Sequence, residues 1–154
     1  TLFPYTTLFR SGRIDNNLVG DAATLPPGGS ALSKFINEQA TLATVNPNAK
    51  EVVLGRHIEG SPLSYERVAQ DRGATHFNMQ NWDELGNSMS RDQILDINRT
   101  FLDKQIAQNK NFLFTSNQKT ARAGSFSNNE YLHLESKWYT FIDNGGGMYR
   151  AVRK

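Results

Sequence analysis

From Glu51 to the C-terminus, short apolar runs with the period of a strand take turns with longer stretches of helical period. This alternation constrains the fold more than any other feature of the chain. "EVVLG" (51–55) reads as a buried strand. "SPLSYERVAQDRG" (61–73) reads as a helix, with Ser61 as N-cap, Pro62 at the first position and Gly73 just past the end. "THFNM" (75–79) reads as a second strand. Ser90 and Gln93 form a capping box that opens a long helix reaching about Asn109, with Ile94, Leu95, Ile97, Phe101, Leu102 and Ile106 on its apolar face. "NFLFTS" (111–116) is a third strand, 128–137 a short helix and "WYTFID" (138–143) a fourth strand. "NGGG" (144–147) then turns the chain into a last strand, "MYRAV" (148–152). Strands alternating with helices predict a small α/β domain with a short central sheet, preceded by a linker and a short helix.

Upstream of Glu51 the pattern breaks down. Residues 1–11, "TLFPYTTLFRS", alternate as an edge strand does. They also read, residue for residue, as the in-frame translation of a common sequencing-adapter oligonucleotide. The expectation is that they are not native and that the chain is a metagenomic fragment. Residues 12–50 are rich in Gly, Pro, Ala, Asn and Thr, and "LPPGGS" (25–30) is a linker signal. Within them "ALSKFINEQATLATV" (31–45) predicts one short helix, followed by a turn at "NPN". The folded domain is therefore expected over 51–154, after a linker segment over 12–50.

Charge and composition narrow the function. Seventeen basic residues against 15 acidic give a net charge of +2, too mild for a nucleic-acid footprint, so no nucleic-acid partner is expected. The chain has no cysteine, which excludes thiol catalysis, Cys-ligated zinc and disulfides. No apolar run approaches the roughly 18 residues of a membrane span, so no membrane partner is expected. His57, His76 and His133 show no close metal-ligand spacing, and no metal is expected. The glycines of "DNGGGMYR" lie between two strands, with no helix N-terminus to hold a phosphate, and read as a hairpin turn. Trp82 and Trp138 read as core or rim residues ahead of ligand platforms. Arg56 lies just past the end of a buried strand, where α/β folds take ligands. It reads either as a surface residue or as the holder of an anionic ligand.

The most informative stretch follows "NFLFTS". A polar loop there leads to Ser125, Phe126 and then Glu130, at the start of a helix. A carboxylate beside a hydroxyl and an aromatic ring can face a ligand cleft at the strand ends. Spacing alone equally allows an ordinary solvent-facing helical Glu.

Ser125, Phe126, Ser127, Asn128, Asn129 and Glu130 resemble the Thr-Phe-x-x-x-Glu signature of the ADP-ribosyl cyclase family, which includes the NAD-consuming ectoenzymes of animal cells. That family precedes the signature with a helix carrying Ser-x-x-Phe and then an apolar strand. Here Asn98 and Phe101 stand in "NRTF", and "NFLFTS" follows. After its Glu the family has an aromatic-apolar strand ending in Gly-Gly, here "YTFIDNGG". The family's disulfides are absent, and Ile94 stands where the family keeps a Trp one helical turn before its Ser. The chain also resembles the C-terminal cargo domains of bacterial polymorphic toxins, which follow variable linkers in large secreted proteins.

The resemblance implies an NAD+ glycohydrolase or ADP-ribosyl cyclase that takes NAD+ as substrate and needs no cofactor. It implies an antibacterial effector, secreted or delivered, acting in the target-cell cytoplasm and opposed by a cognate immunity protein. Glu130 would stabilise the ribosyl cation, while Ser125 and Asn98 position the ribose and its departing ring. Phe126 would wall the pocket, Trp82 would stack on the substrate, and Arg56 would pair with the pyrophosphate. Two other readings remain open. One is a metal-independent ribonuclease toxin using His57, His76 or His133 as acid or base. The other is a binding module without chemistry.

Overall fold

Two strands, buried on both faces, run side by side through the middle of the molecule. The computed structural model describes residues 29–154. The elements are α1 (Ser30–Leu42), β1 (Thr44–Val45), β2 (Glu51–Leu54), α2 (Tyr65–Arg72), β3 (His76–Phe77), α3 (Trp82–Ser88), α4 (Arg91–Ala107), β4 (Asn111–Phe114), α5 (Phe126–Ser136), β5 (Tyr139–Gly145) and β6 (Met148–Arg153), with a single 3-10 turn over Gln118–Thr120 between β4 and α5. The main sheet has the order β2-β4-β6-β5. β2 runs parallel to β4, pairing Glu51 with Asn111 through Leu54 with Phe114, and the other two pairings are antiparallel. This is the expected small α/β domain. The expectation for residues 1–11, and most of that for the linker, lies outside the described residues.

The parallel pair explains the apolar runs read from the sequence. Parallel strands need a crossover, so helices end up covering the sheet, and the strands read as continuous apolar segments. Val52, Val53, Leu54, Phe112, Leu113 and Phe114 are all at most 2% exposed. Their side chains alternate between the two faces. Val53 and Leu113 pack with Val68, Ala69 and Ala74 around α2. Val52, Leu54, Phe112 and Phe114 pack on the other face with Phe35 of α1, Ile97 and Phe101 of α4, and Tyr131 and Leu134 of α5. On α4, Ile94, Ile97, Phe101, Leu102 and Ile106 are buried as expected, and Leu95 is half-buried at the margin.

Capping decides where the helices begin. At α4 the expected box is present: Ser90 Oγ accepts from Gln93 N at 3.1 Å, and Gln93 Oε1 accepts from Ser90 N at 2.9 Å. The helix stops at Ala107, and Asn109 takes a left-handed conformation (φ 56°) that turns the chain into β4. At α2 the expectation is corrected. The helix starts at Tyr65 with Ser64 at the N-cap, not with Ser61 and Pro62. Ser61 instead closes a turn, its Oγ accepting from Leu63 N at 3.0 Å and its carbonyl from Ser64 N at 3.2 Å. Gly73 ends the helix as expected, left-handed at φ 63°. α5 starts two residues earlier than its pattern predicts, because Ser125 caps it by accepting from Asn128 N at 3.1 Å.

Two further differences concern the flanks. Of "THFNM" only His76 and Phe77 form a strand, and it pairs antiparallel with β1 in a separate ribbon. A parallel bridge at Thr75–Val52 ties that ribbon to the main sheet. Lys110 supports the junction, its Nζ donating to the Pro47 carbonyl and, at 3.2 Å, to Thr75 Oγ1. The expected boundary at Glu51 also moves. α1 lies in the segment read as a linker, yet Leu32 (6%), Phe35 (4%) and Ala40 (0%) are buried in the main core. The packed unit therefore includes residues 30–50. The "NGGG" turn is a hairpin as expected, with Gly145, Gly146 and Gly147 all at positive φ. No helix among the described residues is long and apolar enough to cross a membrane.

If α1 belongs to the core, Phe35→Ala should behave as a core truncation. We expect a loss of about 3–5 kcal/mol in unfolding free energy, read by urea denaturation. A change below about 1 kcal/mol, typical of surface sites, would return this helix to the linker.

Candidate active site

The C-terminal ends of β2 and β4 leave a crevice at the edge of the crossover, the usual ligand position in open α/β sheets. Gly55 follows β2 directly. Its φ is 141°, and a Cβ there would lie 2.0 Å from Thr115 Oγ1, just past β4. Only glycine lets the two strand ends come this close. The chain then turns through Arg56 and His57 toward α2, while the loop after β4 leads through Arg122 to Ser125 and α5. Between these walls lies a cavity of about 580 Å³.

Five of the six residues picked out from the sequence line this one cavity: Arg56, Trp82, Ser125, Phe126 and Glu130. Trp82 is buried at 3% exposure and meets the Phe126 ring edge-on, with centroids 4.9 Å apart. Phe77, also in the wall, stacks behind Phe126 at 6.4 Å. Ser125 uses its oxygen to cap α5, which leaves its O–H to donate. Arg56 is exposed at the cavity wall.

The sixth, Asn98, does not line the cavity. It is fully buried on α4 and donates from Nδ2 to Glu130 Oε2 at 3.2 Å. Its expected contact with ribose is corrected to a contact with the acid. An amide projecting from α4 meets α5 before it can reach the cleft.

Glu130 is the electrostatic centre. It is 4% exposed, and its Oε1 has no protein hydrogen-bond partner. Burial pushes its carboxyl up to about 8, against smaller lowering effects from Asn98 and a backbone hydrogen bond with Gly55. Tyr131, next to it on α5, anchors the helix. Its ring stacks on Phe114 at 3.8 Å and its hydroxyl donates to the Ser116 carbonyl. Across the cavity Tyr65 donates to the Phe77 carbonyl, and burial raises its phenol, with the neighbouring Glu130 adding to the rise.

Sequence reasoning missed Tyr65, Phe77 and Arg122 in the cavity wall, and named His57 only for the ribonuclease reading. Arg122 sits in the polar loop already singled out, and that loop was the only signal for it. His57 is held from both sides: Nδ1 meets Glu66 Oε2 at 2.7 Å and Nε2 meets Glu59 Oε2 at 3.0 Å. Glu66 also accepts from Ser64 Oγ, and burial pushes its carboxyl up to about 7. The other two histidines lie elsewhere. His76 is buried edge-on to Tyr65 at 6.0 Å, and burial lowers its pKa. His133 pairs with Asp103 at 2.7 Å. Ile94 sits in the core at 1% exposure, away from the cavity lining. Trp138, read as core or rim, is 72% exposed on a left-handed backbone (φ 72°). Among the described residues no group of three or more His, Asp or Glu is arranged to hold a metal ion.

Comparison of the chain with models of protein families, with curated proteins and with solved structures finds no match.

The raised carboxyls link pH to stability. Unfolded, Glu130 releases its proton near 4.5; folded, it holds the proton to about 8. Proton uptake therefore favours the folded state, and that contribution is complete below 4.5 and lost as pH rises to about 8. Glu66 acts in the same sense up to about 7. We expect Tm to fall across this window and the fall to be shallower in Glu130→Gln. Parallel Tm–pH curves for the two proteins would show that Glu130 is not a buried acid.

Proposed function

We propose that this cavity cleaves NAD+ at the bond between nicotinamide and ribose. One observation carries the reading: a buried carboxyl, Glu130, with an unpartnered oxygen, at a cavity walled by Trp82, Phe126 and Phe77 and bearing Arg56 and Arg122. The arrangement agrees with the resemblance of the Ser125–Glu130 motif to the ADP-ribosyl cyclase signature.

The chemistry follows from charge. Nicotinamide leaves NAD+ as a neutral ring, so its departure needs little acid catalysis. The difficulty lies in the oxocarbenium-like ribosyl cation, which is then captured by water, with loss of a proton, to give ADP-ribose, or by the adenine ring of the same molecule to give the cyclic product. A fixed carboxylate in a dry site stabilises that cation far more than one in water. Glu130 is protonated near neutral pH in the free protein because burial penalises its charge. The cationic nicotinamide ring supplies the missing counter-charge, so substrate binding and ionisation of Glu130 favour each other. The aromatic walls take the ring by face or edge contact. Ser125 donates toward the ribose hydroxyls, and the planar forks of Arg56 and Arg122 suit the pyrophosphate. Asn98 holds Glu130 and does not touch the substrate. On this reading the chain is a delivered toxin effector of the target-cell cytoplasm, and an immunity protein would act by closing the cavity.

A second reading, a metal-independent ribonuclease, keeps one supporting observation: His57 lines the same cavity as Arg56 and Arg122. Incubating the full chain separately with NAD+ and with total RNA divides the two readings. We expect nicotinamide release and no RNA cleavage. Glu130→Gln keeps the shape and removes the charge, so kcat should drop by a factor of about 10² or more. In the wild type kcat/KM should rise with pH until Glu130 is ionised, near 8. Activity within a few-fold of wild type in Glu130→Gln would remove the acid from the chemistry.

Arg56→Ala should raise KM and leave kcat nearly unchanged, because a pyrophosphate contact is made equally in the ground and transition states. Steady-state kinetics on NAD+ measure the split. An unchanged KM would take Arg56 out of the substrate site.

A further inference from the structure

A line of oriented side chains runs from the surface of α4 to the buried acid. Arg99 is gripped by two carboxylates of its own helix, Nη1 donating to Asp96 Oδ1 at 2.7 Å and to Asp92 Oδ1 at 3.3 Å. Its Nε donates across to α5, to Asn129 Oδ1 at 3.1 Å. Asn129 Nδ2 donates to Asn98 Oδ1 at 3.1 Å, and Asn98 Nδ2 donates to Glu130 Oε2 at 3.2 Å. Asn98 and Asn129 are buried, at 0% and 8% exposure.

The direction of this line is fixed by chemistry. A guanidinium has donors only, so it must face the oxygen of Asn129. That turns the Asn129 NH2 toward Asn98, which must answer with its oxygen. The NH2 of Asn98 is then the end left for Glu130. We propose that Arg99 and Asn129 are positioning residues for Glu130, locking the Asn98 amide so that it offers the acid a hydrogen-bond donor. The proposal rests on the reading of Glu130 as the working carboxylate. Released from the line, Asn98 can turn its oxygen to Glu130. An oxygen there serves only the protonated acid, as an acceptor, and favours the form that cannot stabilise a cation. The line therefore opposes the burial that pushes this carboxyl up. The other charged or titratable groups around Glu130 are Tyr65 on α2, Tyr131 on its own helix, and Arg56, His57, Glu59 and Arg122 in the cavity wall. None of them touches Asn98 or Asn129 through a hydrogen bond seen in the structure.

The test is a carboxyl ¹³C NMR titration of Glu130 in the full chain, free of substrate, in wild type, Asn129→Leu and Arg99→Met. We expect the midpoint to move up from about 8 by about one pH unit in each variant, the size of one lost oriented hydrogen bond. Arg99 is partly exposed and its replacement leaves the core intact, so that variant decides the matter if Asn129→Leu does not fold. A midpoint that stays put in a folded variant overturns the proposal. The NAD+ cleavage profile should be displaced by the same interval, with its high-pH plateau kept. A lowered plateau without displacement means mere structural damage and also overturns it. The NMR arm uses no substrate, so absent NAD+ cleavage overturns the functional reading and leaves the titration to judge the positioning line.

Discussion

Burying the Glu130 carboxyl is the requirement that the neighbouring elements meet together. An acid at 4% exposure is held protonated up to about pH 8 by desolvation, and each nearby group either deepens or relieves that condition. α5 supplies the acid, and Tyr131, stacked on Phe114, fixes how deep it sits. α4 supplies Asn98 on one side. The strand ends supply Gly55, whose bare backbone is the only kind that fits beside Thr115. The oxygen left without a partner, Oε1, is itself shut off from solvent on a residue that lines the cavity. A buried polar atom in that state costs stability, and a cationic ligand would remove the cost.

The fold makes such burial possible because its central pair of strands is covered twice. α2 closes one face of β2 and β4, and α1, α4 and α5 close the other. A sheet covered on one side only would leave the C-terminal strand ends open to water. Here the connections that make the parallel pairing possible also bring Trp82, Tyr65 and Phe77 from three separate segments to the same wall. The aromatic lining is thus a consequence of crossover topology as much as of local sequence.

How much of this was legible in the chain varies with how local the signal is. Ser125, Phe126 and Glu130 lie close together in sequence at the start of one helix, although that helix was read as beginning at 128. Their placement together could be read directly. Arg56 was legible because a strand's end is a position in the sequence as well as in space. Tyr65 and Phe77 were read only as members of a helix and a strand, because nothing local distinguishes a ring that packs from a ring that lines a cleft. Asn98 was picked out only by the resemblance of "NRTF", which implies a ribose contact; the partner it meets lies 32 residues away in sequence. The start of α2 was misread because Ser61 and Pro62 match a cap and a first helical position, whereas they form a turn that delays the helix to Tyr65. α1 was misplaced by the company it keeps: Leu32 and Phe35 are spaced for a helix, but composition averaged over 12–50 resembles a linker.

The two glutamates with raised carboxyls do different work because their partners differ. Glu66 meets His57 Nδ1 at 2.7 Å and accepts from Ser64 Oγ, contacts that hold the loop after β2 against the start of α2. Both Glu66 oxygens are thus engaged by protein groups. Glu130 meets the Asn98 amide and the Gly55 backbone, and its Oε1 has no partner. A group with neutral donors alone is half prepared for charge, and the field that would complete the preparation must come from whatever enters the cavity. This makes the site selective by charge before shape is considered: a cation entering beside Glu130 gains the ionised acid, whereas a neutral or anionic group meets a protonated one. Arg56 and Arg122 answer the opposite need within the same cavity. The proposed substrate, NAD+, would satisfy both, with a positive ring at one end and a pair of phosphates next to it.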